Sequence, residues 1–282
     1  MSTTASTHES TGEKIWRYCY LTFCWFVFLF LIAPIIVIIP LSFNSEPYFT
    51  YPMAGFSMRW YEALLADDPQ GILWRQAFGN SLIVGISATL LATALGTLAA
   101  LGLNRVQFAL KGLLLAVLIS PLIVPIVITA VATFYFYAKV GLAATYLGLI
   151  LAHTTLGVPF VVITVTATLS GFDYNMIRAG ASLGANPARV FRKVTLPLIL
   201  PGVISGGLFA FITSFDEVVV MLFLAGFKQR TIPRQMWAGI REQISPTILA
   251  VATVLILFSI CLMFALEMLR RRNEKLRGIR ET

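Results

Sequence analysis

The sequence predicts an all-α protein that crosses a bilayer six times, on three observations. Hydrophobic residues make up 58% of its 282 positions and charged residues only 12%, against about 25% charged in an ordinary soluble domain. Six charge-free stretches each exceed the roughly 20 residues that cross a bilayer core as a helix. They lie between Arg17 and Glu46, Arg75 and Arg105, Lys111 and Lys139, Lys139 and Asp173, Lys193 and Asp216, and Glu242 and Glu267. Third, these stretches are apolar on nearly every side, unlike the short alternating strands of an outer-membrane barrel. Spanning helices are expected at 18–43, 79–103, 112–138, 145–170, 198–225 and 246–269.

The residues before the first helix are polar and are expected to be disordered through Glu13. The apolar run after Arg17 is too long for a cleaved secretory signal and ends in no small-x-small site, so it reads as a retained signal anchor. Helix 1 carries Pro34 and Pro40. The segment Phe56-Ser-Met-Arg-Trp-Tyr-Glu-Ala-Leu-Leu65 reads as a short amphipathic helix whose Trp60 and Tyr61 suit a membrane–water interface or contact with an external protein. Helix 2 is rich in small residues (Gly85, Ser87, Ala88, Gly96, Ala99, Ala100). Helix 3 contains Ser120-Pro-Leu-Ile-Val-Pro125, where Pro121 and Pro125 must bend or locally unwind the chain. Such breaks mark the pathway in transporters, or are ordinary kinks that aid packing.

Helix 4 carries His153, and a lone intramembrane histidine either hydrogen-bonds a neighbouring helix or titrates in a pathway. Helix 5 has Gly202-x-x-x-Gly206, which permits close helix approach. Asp216-Glu217 then interrupts two apolar stretches. At about 1.5 Å rise per residue, Asp216 lies roughly 27 Å from the helix start at Leu198. An unpaired acid inside a bilayer costs at least about 2.5–3.5 kcal/mol. The acids must therefore face a cavity, a partner subunit or a basic group such as Lys139. They serve structure or gating, or they touch a cationic substrate. Adjacent helical positions differ by about 100°, so the two cannot point the same way.

Lys and Arg placement orients the chain. With both termini in the cytoplasm, fourteen of the 21 basic residues fall on the inner side, among them Arg178, Arg189, Arg192, Lys193 and the run Arg270-Arg-Arg-Asn-Glu-Lys-Leu-Arg277. Lys228, Arg230, Arg234 and Arg241 crowd one outer loop against the rule. The net charge of +8 is thus topology and lipid contact, not nucleic-acid binding.

The chemistry of an enzyme is missing. His8 and His153 have no partners for a metal site or a nucleophilic triad. Cys19, Cys24 and Cys261 show no ligand spacing and read as small apolar fillers. No phosphate-binding Gly-x-x-x-x-Gly-Lys occurs and no lysine follows a glycine, so any ATP that powers this protein binds another chain. No cofactor or metal is expected.

The segment Arg178-Ala-Gly-Ala-Ser-Leu-Gly184-Ala-Asn-Pro-Ala-Arg-Val-Phe-Arg-Lys-Val194-Thr-Leu196-Pro197 is basic and punctuated by Gly and Pro. Asp173 or Asn175 can cap a short helix running to about Gly184, and Asn186-Pro187 starts a second turn. The segment resembles the EAA loop of binding-protein-dependent ABC importer permeases, in which a Gly is followed ten residues later by Ile-x-Leu-Pro. Here Gly184 is followed by Val194 and then Leu196-Pro197. The family's acidic residue six or seven positions before the Gly is replaced by Ile177 and Arg178.

From about Arg59 to Glu267 the chain looks like a type I ABC importer permease, most like the second permease of spermidine/putrescine systems. The segments that carry this are Trp60-Tyr61, Asn80-Ser81, 120–125, 151–161, the loop above, Ser214-Phe-Asp-Glu-Val-Val-Val220, Thr231-Ile-Pro-Arg-Gln-Met-Trp237 and Ile244-Ser-Pro246.

The resemblance implies the type I importer transmembrane-domain fold in the bacterial inner membrane. It also implies a cytoplasmic ABC ATPase dimer, a second related permease and a periplasmic solute-binding protein as partners. Arg178, Ala179, Gly180, Gly184, Ala185, Val194, Leu196 and Pro197 would form the ATPase-coupling loop. Asp216, Glu217, Pro121, Pro125 and His153 are candidates for the pathway or gate. The implied organisation is a disordered cytoplasmic tail (1–17), the first spanning helix with a periplasmic segment (18–78), a core permease domain (79–269) with its coupling loop (171–197), and a basic cytoplasmic tail (270–282). The implied cargo is a polyamine. Another amine-bearing solute (an aminoalkylphosphonate, γ-aminobutyrate or an opine) fits almost as well, and a stand-alone secondary carrier is the reading from a different class.

Overall fold

A computed structural model describes residues 10–48, 50, 52–105, 108–242 and 245–276. His8 and the tail from Arg277 lie outside them. Among the described residues the chain is helical, with a single isolated bridge between Asn44 and Phe56. Five helices among the described residues are long and apolar enough to cross a membrane, and a sharply bent pair makes a sixth where it is counted as one broken span rather than a re-entrant loop. The chain divides into two units, one from the N-terminus to Ala63 with Ile244–Glu267, the other Leu64–Gln243 with the chain from Met268.

In the first unit, α1 (Thr11–Leu41) begins well before residue 18, so Ser10–Glu13 are ordered where disorder was expected, while the rest of that expectation lies outside the described residues. The reason is local: Ser10 and Glu13 form a capping box, with Ser10 N–H donating to Glu13 Oε2 at 2.7 Å and Glu13 N–H donating to Ser10 Oγ at 3.3 Å. The helix runs through both prolines, and none of its residues is buried. Beyond it the chain knots on itself. Ser42 Oγ pairs with the Tyr61 hydroxyl at 2.6 Å, Trp60 Nε1 donates to the Asn44 carbonyl at 2.7 Å, and the Phe43 ring stacks on Phe56. Trp60 and Tyr61, on α2 (Arg59–Leu65), are thus half-buried fasteners of this segment as well as amphipathic rings. The unit closes with the first part of α12 (Thr247–Leu276).

In the second unit, α3 (Pro69–Arg105) starts ten residues earlier than the expected 79, because Asp68 caps it, accepting from Gly71 N–H at 2.6 Å, and Pro69 leads it. Three helices make the core: α3, α6 (Tyr146–Ser170) and α9 (Leu196–Phe215). Their backbones approach through small residues. A Cβ on Gly157 of α6 would lie 2.9 Å from Ala210 of α9 and 3.1 Å from Ala92 of α3. One on Gly202 would lie 2.2 Å from Thr168 Oγ1, and one on Gly206 2.7 Å from Val161 Cα. The small-residue spacing of helix 5 therefore works as close approach to α6, giving dispersion contacts where lipid offers no hydrophobic gain.

Two expected helices are broken. In place of one helix at 112–138 there are α4 (Lys111–Ile123) and α5 (Ile126–Val140), bent by 105°. Pro121 sits inside α4 without ending it. Pro125 makes the break, by forcing the preceding Val124 to extended geometry (φ −73°, ψ 131°). In place of one helix at 198–225, α9 ends at Phe215 and α10 (Val219–Leu224) starts anew after Asp216-Glu217-Val218. The short elements α7 (Asn175–Ser182), α8 (Pro187–Val190) and α11 (Ile232–Glu242) complete the unit.

Candidate functional site

The 171–197 loop is built from caps. Asp173 Oδ1 accepts from Asn175 N–H at 2.9 Å at the start of α7, so Asp173 and not Asn175 supplies the acceptor. At the other end Gly184, at φ +78°, donates to the Ala181 carbonyl at 2.9 Å, and Ala185 N–H donates to the Gly180 carbonyl at 3.2 Å. This is a Schellman closure, whose left-handed residue is almost free for glycine and costly for a residue with Cβ. Asn186 Oδ1 then accepts from Arg189 N–H at 2.8 Å and starts α8 with Pro187 in the first turn, as the sequence predicts.

A Cβ on Gly180 would lie 3.2 Å from Val190 Cγ2, so α7 lies close against α8. A single π-helical turn, Phe191–Thr195, holds Arg192, Lys193 and half-buried Val194 and leads into Leu196-Pro197 of α9. Arg178, Ala179, Arg189, Arg192, Lys193 and Pro197 are exposed, while Gly180, Ala185 and Leu196 are half-buried. The sequence reading missed Leu183. It is 87% exposed at the tip of α7, an apolar side chain beside a rigid turn. Its signal was a lone leucine immediately before the glycine.

The pathway candidates separate into different roles. Glu217 is half-buried and its Oε1 accepts from Val220 N–H at 2.9 Å, so it caps α10. Asp216 is exposed, ends α9 through its own N–H to the Ile212 carbonyl, and its carboxylate has no partner among the described residues. Neither acid is paired with Lys139 or with a loop arginine among the described residues, where the ion pair present joins Arg75 and Asp67. His153 is buried, and its Nδ1 lies 2.8 Å from Ser214 Oγ across the α6–α9 contact, two residues before Asp216. Pro125 sets the α4–α5 bend while half-buried Pro121 lies inside α4, and neither brings a polar side chain.

The basic 226–242 segment is held by groups that the composition hides. Asn80 Nδ2 donates to the Lys228 and Arg230 carbonyls at 2.9 and 2.8 Å, its Oδ1 accepts from Tyr146 Oη at 2.7 Å, and Ser81 Oγ accepts from Ile232 N–H at 2.9 Å. Asn80-Ser81 is therefore a clamp joining α3, α6 and this segment. Arg234 donates to the Ala225 and Gly226 carbonyls at the end of α10. Its burial first, and then Arg230 beside it, pull its pKa below the ordinary arginine value.

Residues 92–275 match the family described as binding-protein-dependent transport system inner membrane component. The chain belongs to this family. It is a multi-pass inner-membrane transport subunit and not an ATPase itself. The spermidine/putrescine transport system permease protein PotC of Haemophilus influenzae is 35% identical over 255 residues, covering 89% of this chain and 96% of that protein. PotC of Escherichia coli K12 is 32% identical (88% and 92% covered), and the putrescine transport system permease protein PotI of the same strain is 34% identical (81% and 82%). Among solved structures, a chain of a bacterial ABC transporter involved in the import of the acidic polysaccharide alginate aligns with TM-score 0.71 at 15% identity, covering 94% of this chain and 99% of its own. A chain of the MetNI methionine ABC transporter in inward-facing conformations aligns at 0.58 and 19% identity, covering 74% and 99%. At such identities the likeness establishes the fold, an ABC importer transmembrane domain.

Proposed function

We propose that this permease is one of two transmembrane subunits of an ATP-driven importer that carries an aliphatic polyamine of the spermidine/putrescine type inward, with both of its termini in the cytoplasm. The observation that carries the substrate class is full-length similarity to polyamine permeases, which extends over 96% of the Haemophilus protein. The unpaired, exposed carboxylate of Asp216 at a helix break supports it, since a cation needs an acceptor that the protein has not already used.

Coupling falls to the 171–197 loop. The apolar tip Leu183, set by the Gly184 turn in a segment that also exposes Arg178, Arg189, Arg192 and Lys193, suits a groove on a cytoplasmic ATPase dimer. Closure of the ATPases on ATP would move α7 as a rigid lever, and the Gly180–Val190 contact and the π-turn would pass that motion to α9, switching the cavity between two faces. A periplasmic binding protein delivers the solute, and a second related permease encloses the rest of the path. The test is uptake in proteoliposomes holding the chain with its co-expressed ATPase, second permease and binding protein. Radiolabelled putrescine or spermidine should accumulate only with ATP inside the coupled compartment, while γ-aminobutyrate should not. Accumulation of γ-aminobutyrate in preference to both polyamines would reject the substrate class.

A further inference from the structure

Where α5, α6 and α10 meet, the fold leaves a partly open cavity of about 240 Å³ that none of the roles above uses. It is larger than the roughly 150 Å³ apolar cavity that admits benzene, so it has room for a chain of several carbons. Its walls are the side chains of Thr129, Thr133, Phe136 and Tyr137 from α5, Ala152, Thr155 and Leu156 from α6, and Val220 from α10. Two features set it apart from a packing defect. First, the hydroxyls of Thr129, Thr133 and Tyr137 have no hydrogen-bond partner among the described residues, although all three residues sit on a helix of the broken span. Polar groups at membrane depth are kept only where they are satisfied or where they line a wet or ligand-filled space. Secondly, Thr155 already donates its proton to the Leu151 carbonyl at 3.0 Å, which leaves its oxygen lone pairs as pure acceptors.

The remaining chemistry is aromatic and anionic. Phe136 and Tyr137 present ring surface, which attracts an ammonium group electrostatically. Val220, the α10 wall, is the residue whose N–H is bound by Glu217, so a carboxylate stands at the head of the helix that closes the cavity. Hydroxyl acceptors, ring faces, an apolar wall of Ala152 and Leu156 and a neighbouring carboxylate are together what an alkylammonium group needs. A neutral polyol would use the hydroxyls and leave the rings and the carboxylate idle.

We propose that the α5–α6–α10 cavity is a subsite for one ammonium-bearing end of an aliphatic amine during its passage, with Thr129, Thr133 and Thr155 as acceptors and Phe136 and Tyr137 as its aromatic wall. The inference rests on the amine-import reading given under Proposed function and adds to it where, in this chain, the amine is held.

The test uses the complete complex in proteoliposomes, with radiolabelled putrescine as cargo and unlabelled 1,4-butanediol, of equal length and uncharged, as competitor. Thr133→Val with Tyr137→Phe removes two hydroxyls at almost unchanged shape. It should lower putrescine uptake at least about tenfold while the complex is recovered in wild-type yield, and Thr133→Ser should restore most of the Thr133→Val loss. Butanediol should not compete. If the double variant transports putrescine like the wild type, the subsite is wrong while the amine-permease reading stands. Equal loss in Thr133→Ser and Thr133→Val, failure of the double variant to assemble, or competition by butanediol as strong as that by putrescine would each also overturn the subsite. If the wild-type complex takes up no amine, the substrate reading falls and the subsite with it.

Discussion

At the scale of single residues, the structure divides two adjacent acids that the sequence presents as a pair. Glu217 is committed to the α10 amides, whereas the Asp216 carboxylate has no partner among the described residues. Asp216→Asn should therefore reduce uptake of a cationic solute in an intact complex, by removing attraction on the order of 1–4 kcal/mol, with the larger figure for a poorly hydrated site. Glu217→Gln keeps an oxygen acceptor for Val220 N–H, so it should perturb α10 less than Glu217→Ala. Parallel uptake and thermal-stability measurements on the three variants check this; equal transport by Asp216→Asn and wild type would remove Asp216 from the pathway. The same scale holds His153. Its hydrogen bond to Ser214 is buried, so His153→Ala should strand the serine hydroxyl and destabilise the complex by about 1–3 kcal/mol. In a double-mutant cycle His153→Ala with Ser214→Ala should cost less than the sum of the single changes, and strict additivity of the melting shifts would mean that the pair is not coupled. That the histidine would find a helix neighbour was readable from its isolation in an apolar run. Which neighbour was not, because residues 61 apart in sequence meet only through the glycine-mediated packing of α6 on α9.

Among elements, what was legible followed how local each signal was. Caps and turns were readable in the 171–197 loop because Asn186-Pro187 and Gly184 act within a few residues of themselves. The Ser10–Glu13 box and the Asp68-Pro69 start carry the same kind of signal, but hydropathy windows, which look only for the absence of charge, passed over both. The break at Pro125 was visible in the sequence, though its 105° bend was not, since a proline fixes local backbone geometry and neighbouring helices set the angle. The break at 216–218 was hidden, because nothing in Val-Val-Val marks a new helix until Glu217 is seen holding its first turn. The Gly184 turn gives a prediction at this scale. No atom lies within 4 Å of a Cβ built there, so a substitution meets no clash and its effect is conformational. Gly184→Val should cost at least about 1–2 kcal/mol in the left-handed region, unfix the tip of α7 and uncouple ATP hydrolysis from transport. Gly184→Asn, which tolerates that region, should retain most of the coupling. If valine and asparagine behave alike in transport per ATP hydrolysed, the turn is not the coupling device.

For the molecule as a whole, the fold class was the most legible property and the functional assembly the least, for one physical reason. A bilayer imposes its demand on every residue of a span, so apolar length alone announces the spans. A partner imposes its demand on a few exposed side chains, and the one proposed here to dock, Leu183 with its 87% exposure, looks like any surface residue until the backbone around it is known. The chain belongs to a family of transport-system membrane components, and its sequence contains no phosphate-binding loop. The purified chain in nanodiscs should neither bind nor hydrolyse ATP, and activity should appear only when a nucleotide-binding partner is co-expressed. Leu183→Asp then separates docking from folding. The side chain is exposed, so its replacement should leave the isolated chain's insertion and helix content unchanged. A charge placed in an apolar groove without a counter-charge carries a desolvation penalty, so the ATPase should be lost from affinity-purified complexes and ATP-dependent uptake abolished. Wild-type ATPase recovery with Leu183→Asp would move the docking surface away from the α7 tip, and ATP-driven uptake by the chain purified alone would replace the importer assembly with a self-sufficient carrier.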